Sequence, residues 1–270
     1  MNDPNDGSTV ALKRTEWMGD TSHTAEDHVA AEAPLEIRIA GIPIAVVMRT
    51  PGHDEDLVRG FLLSERIAHS SDAIVSVRHC TEVGDADSED NVMQVVLRHS
   101  VDLASLRRNL FASSSCGICG KASIEQAMHH TGTVEDTLRL SPNDLYRLPG
   151  LLEAEQAGFA LTGGVHAAAL FDGALETIAI REDIGRHNAV DKVLGVAAAT
   201  ERVGAVLMVS GRVSFEIVQK ALACKVELVA AVSAPSSLAV DLARESRMTL
   251  VAFLRDARMC VYSGPQRIQA

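Results

Sequence analysis

Cysteine is scarce in this chain, with five residues in 270 at positions 80, 116, 119, 224 and 260. An odd count without dense spacing excludes a secreted disulfide scaffold and predicts reduced thiols. Long apolar runs are also missing. No stretch approaches the roughly 18 consecutive apolar residues that a spanning helix needs. The polar start MNDPNDGSTV lacks the apolar centre of a signal peptide, so a cytoplasmic protein without membrane contact is expected. Only 8 residues are Pro and 19 Gly, against 47% hydrophobic and 23% charged, which excludes a fibrous or disordered chain and leaves a globular one. A chain of this length buries a core without metals or disulfides.

Positive charge is the third shortage. The formal net charge of -11 argues against a nucleic-acid partner, because neutralising phosphates takes a basic surface. The excess is local, however. Residues 1–33 carry seven carboxylates against two cations, and residues 81–91 carry five carboxylates and no cation. The remainder is almost neutral, so a local anion site stays open.

Hydrophobic periodicity divides the chain. Residues 1–33 are polar, acidic and without period, and read as a disordered tail. Residues 34–112 read as a smaller α+β portion. Leu35 to Ile39 and Ile44 to Met48 form a hairpin across Gly41-Ile42-Pro43, a helix carries Leu57, Val58, Phe61 and Leu62, and strands at Ile74 to His79 and Val92 to Arg98 flank a solvated acidic loop. Residues 113–130 read as a mobile loop and helix. Residues 131–270 turn to a βαβαβ rhythm, with apolar runs at Ala205 to Val209, Leu228 to Val232 and Thr249 to Leu254 separated by helical segments. That alternation predicts an α/β domain with a mostly parallel sheet, whose ligand sits outside the carboxyl ends of the strands. The loops there are Arg181 to Asn188, Ser210-Gly211-Arg212, Ser233 to Ser236 and Arg255 to Arg258. Each brings small residues with hydroxyl or guanidinium donors, and most open a helix whose first amides favour an anion, although a serine after a strand is also an ordinary helix cap.

The sharpest local signal is Ser113-Ser114-Ser115-Cys116-Gly117-Ile118-Cys119-Gly120-Lys121. Two thiols at this spacing serve as a redox pair, as two metal ligands or as a pair that carries sulfur. The glycines free loop amides to bond a thiolate, and the start of the helix predicted over Lys121 to His130, together with the Lys121 ammonium, favours deprotonated sulfur. Zinc would need two more ligands, for which His129 and His130 follow closely. A thioredoxin-like pair belongs beside a βαβ unit, and the αβ rhythm starts some way further on. Cys80, Cys224 and Cys260 sit in or beside apolar runs and read as small hydrophobes.

Several segments in a fixed order carry a resemblance: PGHDEDLVRGFLLSERI, SSSCGICG, LTGGVHAAALF, REDIGRHNAVDKVLG, SGRVSFEIVQKALACKVELVAAVSAPSSLAVDLA and TLVAFLRDARMCVYSGPQR. From about Leu35 to Arg267 the chain resembles the formate dehydrogenase accessory sulfurtransferase family (FdhD). The resemblance implies a carrier that takes persulfide sulfur from a cysteine desulfurase and passes it to the Mo-bis(molybdopterin guanine dinucleotide) cofactor required by formate dehydrogenase, in a homodimer. It places the persulfide on Cys116, with Cys119 as assisting thiol, and the family's cofactor-binding segment on Phe253-Leu254-Arg255-Asp256-Ala257-Arg258. Arg255 and Arg258 suit pyrophosphate oxygens. Ser210, Arg212 and Ser233 are further candidates for the anion or guanine, and His166 and His187 stand beside glycines in matching motifs. The family favours glycine where Asp256 stands and asparagine where Cys260 stands. The resemblance also implies a cytidine-deaminase-like three-layer fold with no tightly held metal. His166-Ala167-Ala168 and Ser115-Cys116 break both halves of the deaminase zinc signature, so deaminase chemistry does not follow. The alternative is a non-catalytic zinc- or guanine-nucleotide-binding chaperone of formate dehydrogenase.

Overall fold

The computed structural model describes residues 7–80, 90–102 and 132–269. The CxxC segment, the helix predicted after it and residues 81–89 of the acidic run lie outside these.

The acidic tail is the first correction. Strands β1 (Thr9–Met18) and β2 (Thr21–Ala30) pair along their whole length as an antiparallel ribbon. Gly19, with φ +63, occupies the first central position of the two-residue turn, where a side chain would be strained. Both faces of the ribbon meet solvent over most of its length, so it carries no burial period for a sequence to display. The Gly19-Asp20 pair between Thr- and Val-bearing runs was the available signal.

Strands β3 (Ala33–Ile39) and β4 (Ile42–Arg49), helix α1 (Asp54–Ser64), and strands β5 (Ile74–His79) and β6 (Val92–Leu97) make the smaller α+β unit. Its sheet runs β4-β3-β6-β5, with β3 and β6 parallel. Leu35, Ile37 and Ile39 alternate inward from β3 and meet Leu57, Val58, Phe61 and Leu62 of α1 in one core. Each such fully buried aliphatic side chain stabilises the fold by about 1.5–3 kcal/mol.

The larger unit begins with short helices α2 (Pro142–Tyr146), α3 (Leu148–Glu153) and α4 (Ala157–Thr162). It continues through β7 (His166–Phe171), β8 (Thr177–Asp183), α5 (Arg186–Ala199), β9 (Val206–Val209), α6 (Phe215–Ala223), β10 (Leu228–Ala231), α7 (Ser237–Glu245), β11 (Thr249–Arg255) and β12 (Arg258–Ser263). The sheet order is β12-β11-β10-β9-β7-β8. Only β9, β10 and β11 are mutually parallel; β8 on β7, β7 on β9 and β12 on β11 are antiparallel. The expected mostly parallel sheet is therefore a mixed one. The connections explain it, since the two residues between β11 and β12 and the short loop between β7 and β8 cannot hold a crossover helix. Successive strand residues pack on opposite sides. Leu207, Val209 and Val229 join one core, and Val206, Met208 and Leu228 join the other, which makes three layers.

The two units meet where α1 crosses α5, backbone against backbone. A Cβ added to Gly60 would lie 1.8 Å from the Asp191 carbonyl oxygen, and one added to Gly195 would lie 1.8 Å from that of Asp56. Around this contact the buried Lys220 ammonium reaches Asp191 at 2.9 Å, Glu65 at 2.9 Å and Ser64 Oγ at 2.9 Å. Burial opposes its charge, but the two carboxylates outweigh burial and hold Lys220 above the ordinary lysine range. At the far end of the chain, buried Arg267 donates to Glu227 at 3.0 Å and to the Arg247 carbonyl at 2.8 Å, tying the terminus under the sheet.

Gly60→Ala should destabilise the fold by roughly 3 kcal/mol, because no side chain can be moved aside to relieve a clash with backbone. Denaturant unfolding checks this, and a midpoint equal to that of the parent would contradict the close crossing.

Candidate functional site

Strand direction decides which loops meet. Because β8 and β9 are each antiparallel to β7, and β9 to β11 are parallel, the carboxyl ends of β8, β9, β10 and β11 share one sheet edge with the start of β7. His166 opens β7 directly across from Asp183 at the end of β8. Ser210 and Arg212 follow β9, Ser233 follows β10, and Phe253 to Arg258 run from the end of β11 through the turn to the start of β12. The predicted strand-end residues therefore come to one edge. The loop expected over Arg181 to Asn188 is shorter than read. β8 runs through Asp183 and α5 begins at Arg186, while Arg181 turns away to pair with Asp56 at 3.1 Å.

A buried hub shapes this edge. Asp183 is fully buried and accepts from Lys192 Nζ at 2.8 Å, Thr50 N at 3.2 Å, Gly185 N at 2.8 Å and Asn188 Nδ2 at 2.9 Å. Asn188 also donates to the Met48 carbonyl at 2.7 Å, and Thr50 Oγ1 accepts from Ile184 N at 3.0 Å. Two of these partners come from the smaller unit, so docking of the units holds the loop that starts α5. Gly185 caps α5 without a side-chain bond, and the first turn carries no acidic residue. Its amides and its dipole are left to favour an anion. α7 differs, since Ser236 caps it through a 3.2 Å bond from Ala239 N.

The side chains around that terminus include two arginines and two histidines. His166 is half-buried against Gly211, where a Cβ would lie 3.3 Å from its Nδ1. Burial first, and then the charges of Arg186, His187 and Arg212, hold its imidazole below the ordinary range, with Asp183 pulling the other way. His187 Nε2 lies 2.8 Å from Glu216 Oε2 and 3.3 Å from Ser214 Oγ. Arg186 and Glu216 are residues that sequence reasoning missed. Arg186 stood next to His187 in a quoted motif, whereas Glu216 looked like an ordinary helical glutamate.

Other candidates are placed less directly. Ser210 Oγ accepts from Ala167 N at 2.9 Å and so braces β7. The Ser233 carbonyl accepts from Phe253 N at 3.2 Å, and Phe253 adopts φ +53. Leu254 is fully buried in the core, backbone included, and so presents no surface to a ligand, against the expectation that placed it in the binding segment. Arg255 and Arg258 stand directly opposite each other across a two-residue turn, on one face of the hairpin. Asp256 and Ala257 form that turn at φ +52 and +54. Aspartate tolerates this conformation better than most residues.

Cys116 and Cys119 lie outside the described residues, as do His129 and His130 of the zinc alternative. Among the described residues no three metal-ligating side chains cluster. Cys224 is unsuited to nucleophilic work, since burial and the neighbouring Asp191 push its thiol up to about 12. A cavity of about 330 Å³ flanks the outer edge of β8, lined by Thr50, His53, Arg181, Glu182 and Lys192 among others, and it holds none of the predicted site residues.

These features define a two-unit α/β protein with arginines and histidines gathered at the carboxyl edge of its larger sheet. The model of the FdhD/NarQ family matches residues 30–269, and the chain belongs to that family. A sulfur carrier protein FdhD from Streptomyces avermitilis is 49% identical over 255 residues, covering 91% of this chain and 90% of the relative. One from Mycobacterium tuberculosis is 46% identical over 276 residues, covering 97% and 99%. The crystal structure of a putative formate dehydrogenase accessory protein from Desulfotalea psychrophila superposes with a TM-score of 0.75 at 22% identity, covering 97% of this chain and 99% of that one, and shares the fold.

His166 gives a pH test. Its pKa is lowered in the folded state, so the unfolded chain takes a proton that the folded chain resists, and stability falls as the pH drops below the ordinary imidazole value of about 6.5. Denaturant midpoints should decline below that pH more steeply in the parent than in His166→Gln. Pyrophosphate should raise the His166 titration followed by imidazole NMR, and an unmoved titration would place no anion beside His166.

Proposed function

We propose that this protein is a cytoplasmic sulfur carrier that serves formate dehydrogenase. Cys116 takes the outer sulfur of a cysteine desulfurase persulfide. Its thiolate attacks that sulfur, the desulfurase cysteine leaves as thiolate, and no external oxidant is consumed. Cys119 assists. The sulfur then goes to Mo-bis(molybdopterin guanine dinucleotide), held as substrate in the strand-end crevice of a domain layered like the cytidine deaminases.

One observation carries this reading. A chain with a net charge of -11 gathers His166, Arg186, His187 and Arg212 around an uncapped helix terminus at one sheet edge. Arg255 and Arg258 share a hairpin face at the same edge. Guanidinium forks and free amides suit pyrophosphate oxygens, which a guanine dinucleotide pterin supplies. The names of the relatives support the sulfur half of the proposal, and the Cys116-Gly117-Ile118-Cys119 sequence supplies the thiols for it.

Incubation of the full chain with a cysteine desulfurase and cysteine, followed by intact mass under non-reducing conditions, should show one added sulfur that Cys116→Ala abolishes. The same adduct in that variant would remove Cys116 from the scheme. About one zinc per chain, lost in Cys119→Ser, would favour the metal-binding chaperone instead.

A further inference from the structure

The cavity of about 330 Å³ beside β8 has no part in the scheme above, and it is separate from the residues gathered at the strand ends. Three parts of the chain enclose it. The base of the ribbon brings Thr9 and Ala30, the smaller unit brings Thr50 and His53, and the larger unit brings α4, β8 and Lys192. A space of this size with mixed polar and apolar walls has the usual form of a small-molecule site. β8 is an edge strand, and such an edge invites a peptide strand. Here the Glu182 carbonyl already accepts from Lys192 Nζ at 3.3 Å, and the Ile180 carbonyl from Arg181 Nη1 at 3.0 Å. Cations on those acceptors close the edge to an added strand and leave room for a compact ligand.

Strand alternation sorts the charge of the cavity. Arg181 and Glu182 are successive residues of β8, so their side chains leave on opposite faces of the sheet. Both line the cavity, which therefore wraps the strand edge with a guanidinium on one wall and a carboxylate on the other. Arg181 gives Nε and Nη2 to Asp56 at 3.3 and 3.1 Å and Nη1 to the Ile180 carbonyl. A second N–H on each of Nη1 and Nη2 is left without a partner among the described residues. Glu182 accepts from Gly158 N at 2.7 Å and Phe159 N at 2.8 Å, one bond to each oxygen, and each oxygen keeps a further lone pair. Exposed Glu155 adds a second carboxylate. Lys192 adds no donor, since Asp183, the Thr50 carbonyl and the Glu182 carbonyl take its three protons. Leu161, Val165 and Ile180 supply aliphatic lining.

A ligand of one sign does poorly in such a space. An anion meets Glu182 and Glu155, and a cation meets Arg181. A molecule that carries both a carboxylate and an ammonium satisfies both walls, and an apolar side chain on it covers the aliphatic lining. We infer that this cavity binds a free α-amino acid with an apolar side chain, its carboxylate on Arg181 and its ammonium on Glu182. Because the ribbon and both units line the space, the ligand binds only their docked form and stabilises it. The site is independent of sulfur transfer and of what binds at the strand ends.

Calorimetric titration of the full chain with L-leucine, L-leucinamide and N-acetyl-L-leucine tests it. The amide lacks the carboxylate, and the acetyl compound lacks the ammonium. L-leucine should bind at least about tenfold more tightly than either. A hundredfold excess over its Kd should raise the thermal midpoint by about 5 °C. Glu182→Gln should weaken L-leucine by about tenfold and leave N-acetyl-L-leucine no weaker. Neither heat nor a midpoint shift with L-leucine at about 10 mM would overturn the inference. Equal affinities for the three compounds would overturn it too, as would unaltered L-leucine binding by Glu182→Gln. If that variant does not fold, the ligand series on the parent decides alone.

Discussion

The contact between α1 and α5 at Gly60 and Gly195 is the constraint on which the rest of the molecule depends. Two helices can touch backbone to backbone only where neither carries a side chain, and each glycine here faces the carbonyl of a residue on the other helix. That approach brings the Met48–Thr50 strand end of the smaller unit under the larger sheet, where Thr50 meets Asp183 and Met48 meets Asn188. The buried Asp183 then orders the turn into α5. The uncapped terminus of that helix, and the cations on its first turn, are held by contacts that neither unit possesses alone.

Ionisable groups below this surface are arranged so that they do not compete with a ligand. Lys192 is spent on Asp183, Lys220 on Asp191 and Glu65, and Arg267 on Glu227. Breaking any one pair would leave a buried charge uncompensated, which costs more than the pair contributes. The side chains at the sheet edge face a different situation. Arg186, His187 and Arg212 lie near His166, Glu216 meets His187, and Asp183 is already saturated by four donors. A protein that is acidic in bulk thus keeps a local excess of positive charge where its sheet ends.

Much of this was legible in the chain. The strands of the smaller unit follow the alternation of Leu35, Ile37 and Ile39, and the β9-α6-β10-α7-β11 rhythm follows its apolar runs, because burial on one or both faces writes its period into residue type. The motif cysteines and His187 were legible from residue chemistry. The β1–β2 ribbon was not, because a ribbon wet on both faces has no buried period. Nor was the mixed direction of the sheet, which short connections set rather than strand composition. Arg186 and Glu216 carried no mark either, since an arginine beside a histidine and a glutamate early in a helix are common on any surface.

By itself the sequence determined the family and most element types from Leu35 onward among the described residues, since these depend on motif order and on local periodicity. Only the tertiary structure decided that β8 and β9 run in the same direction on either side of β7 with both carboxyl ends at one edge, and that the Glu216 carboxylate ends buried against His187. Strand direction and the fate of a buried polar atom depend on partners far away in the chain, and no local pattern of residues encodes who those partners are.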